Sequence, residues 1–461
     1  MSNSNLTSGA VTATPKGYGL EVCTITSNTG LPIDITELVQ DIKITESLYQ
    51  SGMTVDIFVY DALNLIEELR IAGNEYVEII LSRAEPTSKD KYEIKKFELK
   101  LRVAELKNYS TPQPSTKAYT LQCVSKHVYL NNYRLLKRSF SNTASSLIKS
   151  IVSKELQSTI DIKTKSNGII KGIYPRIQPL QAISWLLRNS YDAGTPFYFY
   201  ETPADGLIFT SYNKILENKD NVYATYNNYP MFNESFKGGA ESLYNVFNEE
   251  KSKITKMNSH LNMSKLKAAY NGAFGSVLNK IDISTKKVTP VPFNYNKTKM
   301  MMLNEHSPIS GNIKIGEVNM TDFKDTKQHY VSINTHSHDE FRDSLLNDSG
   351  FYTIIKGNYH KVTDTNALGK SQAHHHNLDT IKQEIVIPGD FSLSCGKIVN
   401  LNIIKNADIT IEQEENSEFI DTILSGKHLV TQIVHHFGKD GYMMNVVLKK
   451  DSFISPLEKG L

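Results

Sequence analysis

Apolar and polar residues alternate in two widely separated parts of this chain, the period of a strand with one buried face. Near the N-terminus, Gly73-Asn-Glu-Tyr76-Val77-Glu-Ile79-Ile-Leu81 leads to a second run closing on Tyr119-Thr-Leu121-Gln-Cys123-Val-Ser125-Lys126. Near the C-terminus, Gly396-Lys-Ile398-Val399-Asn-Leu401-Asn-Ile403 leads to a run closing on Tyr442-Met-Met444-Asn-Val446-Val-Leu448-Lys449. The echo pairs Tyr119 with Tyr442 and implies two copies of one small antiparallel β unit.

Between these runs the pattern predicts a series of elements. Strands are expected at Leu20–Thr26, Ile42–Ser47, Met53–Tyr60, Tyr76–Leu81, Phe97–Leu106 and Tyr119–Lys126, with one helix over Asp61–Leu69 stopped by Gly73. Ser141-Asn-Thr143 can cap a helix with Ala144, Leu147, Ile148, Ile151 and Val152 on one face. Gln178-Pro179 opens a second helix presenting Leu180, Ile183, Leu187 and Tyr191, broken at Gly194-Thr-Pro196. Phe197-Tyr-Phe-Tyr200, a turn at Asp205-Gly206 and Leu207-Ile-Phe209 read as a hairpin. Residues 226–380 are rich in Asn, Lys and Ser with weak periodicity; Met231–Asn248 is read as a return to the sheet. The β pattern resumes at Ile381. The hairpin His428–Lys449 turns at Lys439-Asp440-Gly441, and Glu412–Glu418 reads as an acidic loop.

The expected fold class is α+β, mainly β: two similar small antiparallel β-barrels flanking an α/β domain. The boundaries are a tail 1–17, a first barrel 18–128, an α/β domain 129–225, a second barrel 226–260 plus 381–455, an insertion 261–380 of helices and loops, and a tail 456–461. At 461 residues the chain exceeds one core. An apolar fraction of 39% favours several modest cores.

Charge and cysteine narrow the function classes. The 51 basic and 49 acidic residues leave a net +2 and no basic block, unlike a dedicated nucleic-acid binder. Cys23, Cys123 and Cys395 are far apart and fit no zinc spacing, so a reducing compartment is expected, such as a cytoplasm in which the protein is assembled. Residues 1–16 lack the charged and apolar regions of a signal peptide, and no apolar stretch is long enough for a membrane span.

Candidate chemistry is thin. His374-His375-His376 point in different directions on a helix or strand, so convergence on one metal is disfavoured. His336 and His338 could share a strand face, but Ser337-His-Asp-Glu340 is also a capping box. One of His435 and His436 is expected to be buried beside Tyr442. Glu67-Glu68 and Glu414-Glu415 read as solvated charge, and Trp185 as a core or packing position. The aromatic run Phe197–Tyr200 could stack bases or sugars, with packing the simpler account. No catalytic, cofactor or metal residue is assigned.

Three places resemble the central hub of contractile-tail phage baseplates, a family related to late-control proteins and to the hub part of type VI secretion spikes. They are Ile42-Lys-Ile44-Thr-Glu46-Ser47-Leu48-Tyr49 with Gly73-Asn-Glu75; the helix Leu180–Tyr191 with the aromatic hairpin; and Glu384-Ile-Val386-Ile-Pro388-Gly389 with Cys395-Gly396-Lys-Ile-Val399 and Ser425-Gly426-Lys427-His-Leu429-Val430. The resemblance implies a non-enzymatic homotrimer in the virion tail. Its two barrels per chain would imitate sixfold symmetry and join a tail tube protein to a cell-puncturing spike trimer. Baseplate wedge proteins are implied partners, any lysozyme belongs to a separate spike chain, and genomic DNA passes without specific binding. The chain reaches Leu461 without a β-helical repeat, which favours a separate spike. The alternatives are the hub of a phage-derived injection or secretion system, and a metal-dependent hydrolase using His336, His338 and His374 to His376.

Overall fold

The computed structural model describes residues 16–455 apart from 28–29, 31, 89–90, 114–115, 229–246, 248–249, 263, 283–285, 299, 309–313, 316, 320–328, 335–351, 356–357, 362–366 and 406–419. The first strands are β1 (Gly19–Thr26), β2 (Pro32–Asp34), β3 (Val39–Ser47), β4 (Thr54–Asp61), β5 (Tyr76–Ser88), β6 (Lys91–Gln113) and β7 (Thr116–Ser125), with the short helix α1 (Leu65–Glu68). In β4, Val55, Ile57 and Val59 are fully buried while the residues between them are half-buried, the alternation read from sequence.

The middle of the chain holds α2 (Lys126–Asn131), β8 (Ser139–Thr143), α3 (Ala144–Lys154), β9 (Asp161–Ile162), β10 (Ile169–Ile173), α4 (Pro179–Arg188), β11 (Tyr191–Asp192), β12 (Thr195–Thr202), β13 (Gly206–Ser211) and α5 (Tyr212–Glu217). Thr143 caps α3 by accepting from the Ser146 amide, and Pro179 opens α4. Trp185 is 43% exposed and packs edge-on against Phe140 at 5.8 Å between centroids, the packing rather than the core position, because Ala182, Ile183 and Leu186 take the inward face of α4. All eight residues of β12 are buried. Phe197 and Phe199 enter the core of the α/β segment, whereas Tyr198 and Tyr200 enter the main β core. The aromatic run is therefore continuous because this strand separates two cores.

The remaining strands are β14 (Thr225–Asn228), β15 (Lys256–Leu261), β16 (Gly275–Asp282), β17 (Lys287–Asn294), β18 (Lys314–Ile315), β19 (Val318–Asn319), β20 (His329–Asn334), β21 (Tyr352–Ile355), β22 (Asn358–Lys361), β23 (Ile381–Pro388), β24 (Ile398–Ile403), β25 (Gly426–Gly438) and β26 (Gly441–Lys450). Helices α6 (Lys265–Tyr270) and α7 (Ala367–Leu378) lie among them. The stretch 261–380, expected to be helices and loops, contains a three-stranded sheet ordered β17-β16-β20. Polar side chains at its ladder positions, such as Asn279 and Thr289, hide the alternation. Met231–Asn248 and Glu412–Glu418 fall almost wholly outside the described residues.

One 13-stranded sheet spans both β regions, in the order β15-β23-β26-β25-β3-β4-β7-β6-β5-β1-β2, with β24 joined to β25 and β14 to β24. Two separate closed barrels were expected. Among the described residues the pairing closes neither region on itself, because the edge of β3 that would close the first is paired with β25 of the second.

The two regions nevertheless have the same connectivity. In the first unit, β3-β4-β7-β6-β5 are neighbours through antiparallel ladders. In the second, β15-β23-β26-β25-β24 repeat that order, antiparallel throughout and in the same chain sequence. The bulge between Val103 and Glu105 of β6 recurs between Val430 and Gln432 of β25. The Val103 amide donates to the Glu75 carbonyl at 3.0 Å, and the Val430 amide to the Lys397 carbonyl at 2.9 Å. Aligned on these ladders, Val77 matches Val399, Ile79 matches Leu401 and Ile57 matches Ile385, all buried. Tyr119 matches Met444, two residues from the Tyr442 match that the sequence echo suggests. A shift of two keeps every side chain on its face, so alternation alone cannot tell the two registers apart.

The outer partners differ. β1 lies antiparallel on β5, whereas β14 lies parallel on β24. The tight connection between β3 and β4 becomes, between β15 and β23, the stretch 262–380.

Candidate functional site: the seam between the two units

Strand β25 leaves β24 after Leu429 and pairs over its distal half with β3, from Gln432 opposite Ser47 to Phe437 opposite Ile42. The inward residues are Ile433, His435 and Phe437 from one unit and Ile42, Ile44 and Glu46 from the other, all at most 2% exposed. Phe437 stacks on Tyr442 at 4.2 Å between centroids, and Phe97 of the first unit stacks on Phe391 of the second at 4.1 Å. The joint is a buried, largely apolar continuation of the sheet core.

A buried polar set fixes its register. Glu46 lies 3.7 Å from His435 and accepts from the Cys395 amide at 3.1 Å. Burial raises the Glu46 carboxyl above its ordinary range, against the opposing pull of His435. His435 is the buried member of its pair, 2.8 Å from the Tyr442 hydroxyl, while His436 reaches Asp41 at 2.9 Å. Arg83, fully buried in β5, donates to the Gly389 carbonyl and lies over the Phe247 and Tyr442 rings. Burial would raise the Asp390 carboxyl, but Lys251 at 2.9 Å and the Tyr223 hydroxyl at 2.7 Å outweigh it and hold it below the usual range.

The α/β segment is tied to the sheet through β12. Glu201 accepts from the Met53 amide at 2.9 Å and from the Ser125 hydroxyl, so one carboxylate grips the starts of β4 and α2 together. Tyr212 donates to Asp451 at 2.7 Å, and Asp451 also accepts from the Leu303 amide at 3.0 Å.

The candidate chemistry from sequence disperses. His374 is buried on α7 with its ring 5.4 Å from Tyr212, and His375 packs near Tyr198. Burial pushes His374 down to about 3. Residues His336 to Glu340 lie outside the described residues. Among the described residues, no three of His, Cys, Asp and Glu are placed to hold a metal. The three cysteines are free and buried. Phe197 to Tyr200 are at most 5% exposed, which leaves their rings for packing. The seam itself carries one signal that sequence reading passed over: Glu46 and His435 sit on the buried face of otherwise apolar alternating runs, and each is the other's partner.

No helix among the described residues is long and apolar enough to cross a membrane. No protein-family model and no curated protein matches the sequence. The tail protein from Neisseria meningitidis MC58 aligns over 94% of this chain and 97% of its own, at 10% identity and TM-score 0.50. The 43 kDa tail protein of prophage MuSo2 from Shewanella oneidensis aligns over 94% and 99%, at 10% identity and TM-score 0.46. An Escherichia coli component of the type VI secretion system, described as structurally similar to T4 bacteriophage tail proteins, aligns over 90% and 74%, at 8% identity and TM-score 0.41. Over nearly its whole length the chain therefore has the fold of a solved phage-tail protein.

Proposed function

We propose that this chain is the central hub of a contractile phage-tail baseplate, a non-enzymatic structural protein that adapts a sixfold tail tube to a threefold spike. The observation that carries the reading is the repeated connectivity of the two β units within one continuous sheet. Two equivalent units per chain become six equivalent positions in a ring of three chains. Segments 18–128 and 226–260 plus 381–455 would form the ring, with 129–225 and 261–380 on its outside, available to wedge and spike partners. The hub of a related injection or secretion machine would work by the same geometry.

A ring of this kind encloses a passage for the genome. The near balance of 51 basic and 49 acidic residues suits a lining that does not hold phosphate. The native mass of the purified protein, alone and with spike protein, tests the proposal. Three chains of 51.9 kDa are expected, and a persistent monomer under both conditions contradicts it.

A further inference from the structure

The internal seam specifies a second seam. In the first, the distal half of β25 covers the free edge of β3. By the shared connectivity, β25 corresponds to β6, and β3 corresponds to β15. The distal half of β6 and the outer edge of β15 are the two places where, among the described residues, this pairing is missing. On the side facing β5, the ladder of β6 stops at Arg102, although the strand runs on to Gln113. β15 pairs with β23 on one side and ends the sheet on the other.

These edges also carry apolar residues in the open. Tyr109 of β6 is 52% exposed and Leu261 of β15 is 52% exposed. On the inward face, the residues of β3 beside β25 are more buried than their matches in β15: Ile44 is fully buried, while its match Ser259 is half-buried on the uncovered edge. A long strand edge of this kind is a template for pairing with another chain.

We infer that β6 of one chain pairs antiparallel with β15 of the next, in the register copied from the internal seam; this rests on the trimeric hub reading and deepens it. Counting from the shared bulge, Gln432, Ile433 and Val434 correspond to Glu105, Leu106 and Lys107. Counting from the ladders to β4 and β23, Thr45, Glu46 and Ser47 correspond to His260, Leu261 and Asn262. The internal partners are Gln432 with Ser47, Ile433 with Glu46, and Val434 with Thr45. The copied partners are Glu105 with Asn262, Leu106 with Leu261, and Lys107 with His260. The register brings two leucines face to face where the internal seam has Ile433 against the buried Glu46. A register shift by one residue would place the two leucines on opposite faces of the sheet. Each chain then offers one edge of each kind. The contact is head-to-tail, and alternating internal and external seams close a ring in which neither the distal edge of β6 nor the outer edge of β15 is left unpaired.

Leu261 is exposed and Leu106 only half-buried at the border of the core, so a cysteine at either costs the fold little, and the three native cysteines are buried. Full-length Leu106→Cys and Leu261→Cys proteins are mixed under mild oxidation and resolved without reductant. A covalent pair of chains is expected from the mixture and not from either variant alone, and the double variant is expected to yield covalently closed rings of three. The shifted pair Ser110→Cys with Leu261→Cys is expected to cross-link severalfold less. As a second readout, Leu106→Lys with Leu261→Lys lowers the trimer population in native mass spectra, and Leu106→Lys with Leu261→Glu restores it. A trimer that forms but cross-links equally or better at the shifted pair overturns the register and leaves the hub reading standing. A trimer indifferent to both charge variants overturns the seam. A monomer in every condition overturns both the seam and the hub reading.

Discussion

The two β units keep one wiring diagram and fill it differently. Where the first unit buries Leu101 and Ser125, the matching positions of the second are His428 and Lys450, all at most 4% exposed. His428 lies 2.7 Å from the Gly426 carbonyl, and Lys450 donates to the Ser425 carbonyl at 2.7 Å. The second unit can carry these groups because it is buttressed from outside the sheet: Asn304 bonds to the Lys427 and Ser452 carbonyls at 3.0 and 3.2 Å. The first unit has no counterpart of that buttress among the described residues, and its matching positions stay apolar or small. Wiring is held by ladders and bulges, whereas core composition is free to diverge wherever local partners satisfy the polar groups.

The largest expected effect of this difference is on acid stability. Burial lowers His428 to about 3 and His374 to about 3, below the ordinary value of 6.5. The folded state keeps both neutral while the unfolded chain protonates them, so stability falls as pH drops from 6.5 toward 3. Each histidine removes about 1.4 kcal/mol per pH unit, or about 4 kcal/mol for both at pH 5. Urea midpoints from pH 7 to 4 measure this, and His428→Leu, which copies Leu101, is expected to halve the slope. Burial likewise lowers Lys450 to about 7 from 10.5, so stability should rise as pH increases between those values, and Lys450→Met should remove that rise.

Next in size is the contrast between matched seam positions. Ile433→Ala, fully buried at the internal joint, is expected to cost about 3 kcal/mol in denaturant unfolding. Leu106→Ala, half-buried on the open edge, is expected to cost under about 1.5 kcal/mol in the isolated chain and to weaken ring formation instead. Equal costs in both assays would break the equivalence.

Smaller still is the staple between sheet and α/β segment. Glu201→Ala leaves the buried Met53 amide without its acceptor and is expected to cost about 2 kcal/mol. The smallest effect distinguishes two glycines that enter matching strands. Gly73 and Gly396 have φ of 90° and 86°. Alanine at either should cost about 1 to 2 kcal/mol for the left-handed conformation. Gly396→Ala should cost more, because its Cβ would lie 2.4 Å from the buried Tyr200 hydroxyl, against 3.4 Å from the Ala104 carbonyl at Gly73.

Alternation made β4 and β26 readable, and capping chemistry did the same for α3 and α4, because those signals are local. The doubled unit was legible at Val77 and Val399, whose neighbours alternate on one buried face. The distal half of β6 was not, since Lys107-Asn-Tyr-Ser-Thr-Pro-Gln113 buries no face within the chain. The joining of the units into one sheet was hidden as well: nothing in β3 or β25 names its partner strand, and only the matched buried polar residues Glu46 and His435 hint at it. The strands of the insertion were lost for a third reason, because polar side chains occupy their ladders.

All of this depends on the two units taking equivalent places around one axis. End-on electron-microscopy averages of the purified assembly, with mass measured on the same sample, test that most directly. Six evenly spaced lobes from three chains are expected; three lobes, or six chains for six lobes, would contradict the account.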